Sequence, residues 1–272
     1  MIHRPEVLVV ALLLSFFSLS EGQNAPKRPN ILFILVDDQR NDTLGCAGHP
    51  IVKTPNIDRL AAEGIRFTRA YVTTPICMSS RATIFTGLTE ASHGYTGGGL
   101  PAIPVQIMDV DTSFPVLLRK AGYRTGFYGK QHVKFAETKK VALERMFDDH
   151  RVYGGGPHFV KLEDGSKRHT AEIIGDHSVQ FVRSHPKARP FCLYMSFNIA
   201  HARDSDHRPG IGHFPWPKAV DGAYANVEID RPKLSDPKYF DMQPDFLKNS
   251  LNRVRWHWRW DTPEKYQTNM RA

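Results

Sequence analysis

One thiol and one guanidinium stand four residues apart in the stretch CMSSRATIFTG, which runs from Cys77 to Gly87. Pro75 and the small polar residues after Cys77 are helix-opening signals, and Thr86 followed by Gly87 is a stop signal. The sequence therefore predicts a short helix with Cys77 in its first turn, where free backbone N–H groups favour negative charge. Because Arg81 lies one turn further on the same face, the pair indicates a site for an oxyanion.

Two adjacent carboxylates, Asp37 and Asp38, follow the continuous apolar run NILFILV of Asn30 to Val36. A run of this length without polar alternation predicts a parallel strand that is covered on both faces. Ligands of open α/β sheets collect beyond the carboxyl ends of the strands, where paired carboxylates suit a hard cation. Successive strand residues point to opposite faces, so both acids reach one ion only if the chain leaves the strand at Asp37.

Three basic residues follow two other predicted strands. Lys130 and His132 come after the strand Tyr123 to Tyr128 and fall on one face if the chain stays extended. They offer a point charge and a proton carrier to the same ligand. His201 follows the buried strand Pro190 to Asn198, which predicts a position at the same edge of the sheet.

The elements that must position these residues alternate between strand and helix, which predicts one substantial α/β domain. The strand Ile65 to Val72 is predicted to deliver the Cys77 turn to the edge that carries Asp37. The helix Thr54 to Gly64 has Ile57 and Leu60 on its apolar face. Further helices are predicted at Phe114 to Ala121 and within His169 to His185.

The stretch around Cys77 resembles the signature of type I sulfatases, which is CxPxR followed at a fixed distance by Thr and Gly. Cys77, Arg81, Thr86 and Gly87 match this pattern, and Ser79 stands where proline is usual. The resemblance extends with little interruption over residues 53–87.

Three further segments resemble the same family. GYRTGFYGKQH is similar to the sulfatase motif GYxTxxxGKWH, with Gln131 in place of Trp. AHARD is similar to PHxP, with Ala200 and Arg203 in place of the two prolines. Asp37 and Asp38 stand where sulfatases carry a DD pair after their first strand.

This resemblance implies an alkaline-phosphatase-like sandwich, in which a mixed, largely parallel sheet lies between helix layers. It also implies a sulfuric ester hydrolase whose substrates are sulfated small molecules or polysaccharides. In the family, a formylglycine-generating enzyme oxidises the signature cysteine to formylglycine (3-oxoalanine), whose hydrated form is a geminal diol. One hydroxyl attacks sulfur, and the second later expels sulfate. No later stretch supplies the family's remaining metal ligands, so we expect a fold that is C-terminally incomplete.

The site roles implied by the resemblance fall into three groups. The catalytic residues are Cys77, Arg81, Lys130 and His132. The residues that bind the sulfate of the substrate are His201 and Lys130. The ligands of one divalent cation, Ca²⁺, include Asp37, Asp38 and Cys77.

The N-terminal segment predicts export. Arg4 precedes an apolar run from Val7 to Leu19, and Ser20 and Gly22 are spaced like a peptidase site. We therefore expect a signal peptide at 1–22, a partial catalytic domain at 23–272, and a secreted or periplasmic protein without a stable membrane anchor. The formal net charge of +8 predicts attraction to polyanions, and export favours sulfated polysaccharide over nucleic acid.

The cysteine count predicts no disulfide framework, because the chain has three cysteines. Cys192 lies in an apolar run and is predicted to be a core residue. Cys46 lies in a glycine-flanked loop, and the sequence leaves a bridge between Cys46 and Cys192 open.

Three other functions stay open at this point. The same fold serves phosphoester hydrolysis, for which a Thr or Ser nucleophile and zinc-type histidines would be expected. A secreted, non-catalytic binder of sulfated glycans would keep the basic groups without a complete metal site. A nucleic-acid module would use RVRWHWRWD, Arg253 to Asp261, whose rings and guanidinium groups equally suit a sugar pocket or packing under a charged surface.

Overall fold

A parallel sheet with helices on both faces forms the centre of the chain. The computed structural model describes residues 28–96, 108–153, 158–210 and 212–272. The strands are β1 (Ile31–Leu35), β2 (Arg124–Gly129), β3 (Asp149–Val152), β4 (Phe159–Lys161), β5 (Lys167–His169) and β6 (Phe191–Ser196). The helices are α1 (Pro55–Glu63), α2 (Cys77–Thr86), α3 (Glu90–His93), α4 (Phe114–Lys120), α5 (Lys139–Met146), α6 (Thr170–Arg183), α7 (Pro237–Asp241), α8 (Asp245–Lys248), α9 (Leu251–Arg259) and α10 (Pro263–Arg271).

The central sheet consists of four parallel strands in the order β1-β6-β2-β3. Ile31 of β1 lies opposite Cys192 of β6, and Arg124 of β2 lies opposite Phe191. Strands β4 and β5 form a separate antiparallel pair. Because parallel strands end at one edge of a sheet, the residues after β1, β2 and β6 meet there. The predicted α/β fold with a largely parallel sheet is confirmed.

Alternate side chains of β2 and β6 fill two cores, one on each face of the sheet. Phe127 and Tyr194 pack with Phe85 of α2 in the first core, and the rings of Phe127 and Tyr194 meet edge to face at 5.2 Å. Leu193 packs with Phe181 of α6 in the second core. The continuous apolar composition of β6 follows from this burial on both sides.

Helix α2 begins and ends where the sequence predicts. It starts at Cys77 and closes at Gly87, whose φ of 70° is left-handed and whose N–H donates to the carbonyl of Thr83 at 2.8 Å. Glycine adopts this conformation without steric penalty. The cysteine is therefore fixed in the first turn of a helix whose second turn starts at Arg81.

The prediction of a strand from Ile65 to Val72 is wrong. Residues 65–72 form an irregular segment, in which Ile65 is 82% and Tyr71 86% exposed. A strand needs a neighbour for its backbone hydrogen bonds, and no described strand pairs with this segment. Cys77 is instead introduced by Ile76, which has extended backbone angles.

Two predicted apolar faces are open to solvent. Leu32 and Ile34 of β1 are 53% and 47% exposed, so the prediction that both faces of this strand are covered is wrong. Ile57 and Leu60 of α1 are also exposed. Strand β1 is the edge of the described sheet, and the described residues leave one of its faces uncovered.

Residues Ile31–Ala272 form one compact unit. The signal peptide predicted at 1–22 lies outside the described residues. In the part of the chain that the structure describes, no helix combines the length and apolar character needed to span a bilayer. Cys46, Cys77 and Cys192 are all free, so there is no bridge between Cys46 and Cys192.

Candidate functional site

A buried ion cluster lies at the carboxyl edge of the sheet. Asp37 follows β1, Lys130 follows β2, and Arg81 comes from α2; these three residues are 6%, 5% and 2% exposed. The Lys130 ammonium contacts Asp37 Oδ2, and Arg81 Nη2 lies 3.6 Å from the same oxygen. One carboxylate therefore faces two buried cations, which leaves the cluster suited to a further anion.

Arg81 is held in place on one side and free on the other. Its Nη1 donates to the Lys130 carbonyl at 2.7 Å and also to Ser196 Oγ, which itself donates to that carbonyl at 2.7 Å. Its Nε and Nη2 are buried and have no hydrogen-bond partner among the described residues. Buried N–H groups are rarely left unsatisfied, so these two donors fit an anionic ligand.

The backbone at Gly129 brings Lys130 to this cluster. Gly129 has a φ of 125°, and a Cβ at this position would lie 1.8 Å from the Ser196 carbonyl oxygen. The Lys130 N–H donates to the same oxygen at 2.8 Å. Only glycine permits this close approach of β2 and β6, from which Lys130 turns toward Asp37.

Cys77 is partly exposed in the first turn of α2. That turn contains no acidic residue, so its positive end is not offset by a carboxylate of the helix itself. The thiol and the Arg81 guanidinium are therefore presented by consecutive turns of one helix, as the sequence predicts.

His132 does not continue the strand as predicted. The chain turns at this residue, whose φ is 55°, so Lys130 is buried and His132 stays partly exposed. Partial loss of water around the imidazole, followed by the charges of Lys130 and Arg81, together lower the pKa of His132 from 6.5 to about 4. His132 is therefore neutral at pH 7 beside a cationic cluster.

His201 lies between two carboxylates. Its Nδ1 and the carbonyl of Ala202 are 2.7 Å apart, which makes Nδ1 the protonated nitrogen. Its Nε2 lies 3.9 Å from Asp38 Oδ2 and 3.8 Å from Asp204 Oδ2.

Asp204 in turn joins His201 to helix α9. Its carboxylate accepts hydrogen bonds from Arg259 Nη2 at 2.8 Å and Arg255 Nη2 at 3.4 Å. Sequence reasoning missed both Asp204 and Ser196. The signals that could have found them are an acid three residues after His201 and a hydroxyl at the end of a buried strand.

The two predicted metal ligands of the DD pair lie in different surroundings. Asp37 contacts the Lys130 ammonium, whereas the Asp38 side chain is 62% exposed. The backbone of Asp38 is left-handed, with a φ of 58°. Within the described residues, no three His, Cys, Asp or Glu side chains are close enough to hold a metal, so Asp37, Asp38 and Cys77 do not form such a group. The two carboxylates have the oxygen chemistry that calcium prefers, but calcium takes about six to eight oxygens.

Known proteins resemble this chain over much of its length. Its sequence matches the profile of the sulfatase family over residues 29–236. An N-acetylglucosamine-6-O-sulfatase of Bacteroides thetaiotaomicron is 32% identical over 211 residues, which cover 72% of this chain and 35% of that protein. An arylsulfatase of Clostridium perfringens is 34% identical over 242 residues, which cover 88% of this chain and 45% of that protein. The chain thus spans less than half the length of these relatives.

A solved structure shares the fold. It shows a protein in complex with its substrate D-glucosamine-2-N,6-O-disulfate, and its TM-score to this chain is 0.59 at 24% identity. The match covers 89% of this chain and 52% of the other. The similarity concerns the arrangement of strands and helices around the site.

Proposed function

Because this chain belongs to the sulfatase family, we propose that it acts in the hydrolysis of sulfate esters of carbohydrates. A relative named for N-acetylglucosamine 6-O-sulfate and a structural neighbour bound to a disulfated glucosamine support the carbohydrate class. The family membership is shown by the sequence. The activity, the substrate and the roles of single residues below are our proposal.

The buried cluster at the sheet edge carries this proposal. A sulfate ester is already anionic, so it repels a nucleophile unless nearby cations offset its charge. Arg81 and Lys130 supply two buried positive charges, and Arg81 keeps two nitrogen donors without a hydrogen-bond partner among the described residues. A tetrahedral oxyanion beside Cys77 satisfies these donors.

Each side chain of the site then has a role in the hydrolysis. Cys77, once oxidised to formylglycine and hydrated, supplies the hydroxyl nucleophile of the reaction. Arg81 orients that residue and donates to the sulfate, while Lys130 neutralises a sulfate oxygen. His132 and His201 flank the cluster, and a neutral His132 at pH 7 can exchange a proton with the reacting group.

A divalent cation, which we propose to be Ca²⁺, would be held in part by Asp37, Asp38 and residue 77 after its oxidation. Bound there, it would polarise the sulfate oxygens. The hard carboxylate oxygens of the pair fit such an ion, and further oxygen ligands are needed to complete its coordination. The Lys130 ammonium occupies the cationic position next to Asp37 in the structure described here.

Export and maturation belong to the same proposal. The segment 1–22 would direct the chain to the periplasm or the exterior, where polysaccharide sulfates are encountered. A formylglycine-generating enzyme would act on Cys77 before the chain folds, because the thiol lies at the start of a helix in the folded protein.

One observation favours a second candidate function. The described residues contain no three-residue metal group, although the cationic cluster is complete. A secreted binder of sulfated glycans without catalysis would need the cluster alone.

The experiment that tests the proposal combines peptide mass analysis with an enzyme assay. The full chain is coexpressed with a formylglycine-generating enzyme, and the peptide containing Cys77 is expected to lose about 18 Da on conversion of the thiol to an aldehyde. Hydrolysis of a chromogenic aryl sulfate is then measured with and without calcium, with Cys46→Ser as the matched cysteine control. Conversion with calcium-dependent turnover supports the sulfatase, and an unmodified Cys77 supports the non-catalytic binder.

A further inference from the structure

A cavity of about 600 Å³ opens beside His201 and Asp38. Trp216 and Trp260 also line it, so the cavity includes both the histidine and an aromatic wall. Gln39 and Thr43, whose side chains contact each other, contribute an amide and a hydroxyl to the lining. The volume and the lining of this cavity are typical of small-molecule sites, which are mostly apolar with a few polar groups.

The aromatic wall is built on a fixed segment. His213, which precedes it, is fully buried; its N–H donates to Asn269 Oδ1 at 2.8 Å, and its carbonyl accepts from the Arg203 N–H at 2.7 Å. Phe214 packs on Trp260 with ring centroids 5.6 Å apart. The wall is thereby tied to the loop that carries His201, and its position relative to that histidine is set before a ligand arrives.

Trp216 is partly exposed on this segment. Its indole N–H donates to Asp221 Oδ1 at 3.1 Å, which fixes the edge of the ring. Pro215 and Pro217 restrict the backbone on both sides. The residue nevertheless remains 37% exposed. An aromatic side chain that lines a cavity, with a satisfied polar edge and exposed surface remaining, is well suited to contact a ligand.

We propose that this cavity is a saccharide subsite, in which the indole of Trp216 stacks on the pyranose ring that carries the sulfate ester. A pyranose offers C–H groups on its faces and hydroxyls around its rim. In this arrangement the indole contacts a face of the pyranose. Gln39 and Thr43 line the same cavity and contact the rim hydroxyls, and the ester extends toward His201 and the cluster. This assignment rests on the proposed sulfatase function and adds the residue that selects sugar esters over other sulfate esters.

The test measures binding by isothermal titration calorimetry with the full chain, using N-acetylglucosamine 6-sulfate and inorganic sulfate as probes. Trp216→Ala is expected to weaken binding of the sugar ester about tenfold and to leave inorganic sulfate unchanged, because only the sugar ring contacts the indole. Trp216→Phe should keep most of the affinity. The matched control is Trp256→Ala on α9, since Trp256 is 40% exposed and does not line the cavity.

The two probes separate failure of the subsite from failure of the proposed function. If inorganic sulfate binds but the sugar ester binds no more tightly, or if Trp216→Ala and Trp256→Ala behave alike, the subsite is overturned. If neither probe binds, the oxyanion site itself is overturned, and the subsite with it.

Discussion

Among single residues, Arg81 has the geometry that lysine cannot reproduce. Its Nη1 donates to the Lys130 carbonyl and Ser196 Oγ, while Nε and Nη2 have no hydrogen-bond partner among the described residues. A guanidinium spreads five N–H donors over a planar fork, whereas an ammonium places three on one atom. The charge of Arg81 is therefore only part of its contribution.

Arg81→Lys is accordingly expected to lower the rate of aryl sulfate hydrolysis about 10²- to 10³-fold, as for loss of a donor that stabilises developing charge. The free energy of unfolding should fall by about 1–3 kcal/mol, because Ser196 Oγ and the Lys130 carbonyl each lose a buried hydrogen bond from the guanidinium. Steady-state kinetics and urea denaturation measure these effects. Arg183→Lys at the end of α6 is the control, and an unchanged rate in Arg81→Lys would contradict the assigned role.

Asp204 is a second residue whose effect is electrostatic. Burial raises the pKa of this carboxyl, but the hydrogen bond from Arg259 and the charge of Arg255 outweigh burial, so the pKa is lowered overall. Arg259 is 6% exposed, and it depends on Asp204 to balance its charge.

Asp204→Asn should therefore reduce the free energy of unfolding by about 1–3 kcal/mol, since a buried guanidinium loses its counter-charge. Asp245→Asn is the matched control because the Asp245 side chain is 87% exposed and is paired only at the surface with Lys248. Both variants are compared with the parent chain by urea denaturation. Equal midpoints for the two variants would show that Asp204 does not stabilise α9.

At the scale of elements, strand β1 has one packed face and one open face. Phe33 packs on Tyr194 with ring centroids 4.8 Å apart, whereas Leu32 and Ile34 are exposed. An exposed apolar edge strand is a template for pairing with another chain.

Ile34→Lys should change the free energy of unfolding by less than about 0.5 kcal/mol and reduce self-association, because the side chain lies on the open face of an edge strand. Phe33→Ala should destabilise the fold by about 2–4 kcal/mol through loss of its contact with Tyr194. Urea denaturation and sedimentation velocity distinguish the two effects. Strong destabilisation by Ile34→Lys would mean that a further part of the protein covers this face.

Sequence patterns predicted elements well where burial is local and poorly where it depends on a neighbour. The runs that became β2 and β6 are apolar because both of their faces are packed, which is visible in the sequence itself. The segment 65–72 also carries side chains that favour strands, such as Ile65, Phe67 and Tyr71, but no pattern shows whether a pairing strand exists. The apolar faces of α1 and β1 were predicted to be buried for the same reason, because the sequence does not show whether a neighbouring element covers them.

The site was predictable to the same extent. Asp37, Lys130 and His201 follow apolar runs, so the rule for the carboxyl ends of parallel strands placed them at one edge. The turn at His132, the contact between Lys130 and Asp37, and the support from Ser196 and Asp204 depend on side-chain geometry that spacing does not encode.

At the scale of the whole molecule, buried histidines couple folding to pH. His158 is 5% exposed, and its Nδ1 has no hydrogen-bond partner among the described residues. Burial, followed by the charges of His169, Arg203, His201 and Lys130, lowers the pKa of His158 from 6.5 to about 4. The unfolded chain therefore takes up this proton at a higher pH than the folded chain does.

Stability should accordingly fall as the pH drops from about 6.5 to about 4, because protonation then favours the unfolded chain. His158→Gln removes this titratable group. The free energy of unfolding should then fall less over that pH interval, by up to about 3 kcal/mol. Urea denaturation at a series of pH values measures the slope, with the exposed His257→Gln as control. Parallel curves for the parent and His158→Gln would rule out the coupling.

The close approach of Gly129 to β6 also limits how this protein can evolve. Any other residue at 129 would place its Cβ against the Ser196 carbonyl, and the displaced strand would move Lys130 and the donors of Arg81 together. Substrate-contacting positions such as 216 can drift and be selected for new sugars one mutation at a time. No single substitution at position 129 avoids the clash with the Ser196 carbonyl. A saturation library of this chain should therefore recover only glycine there.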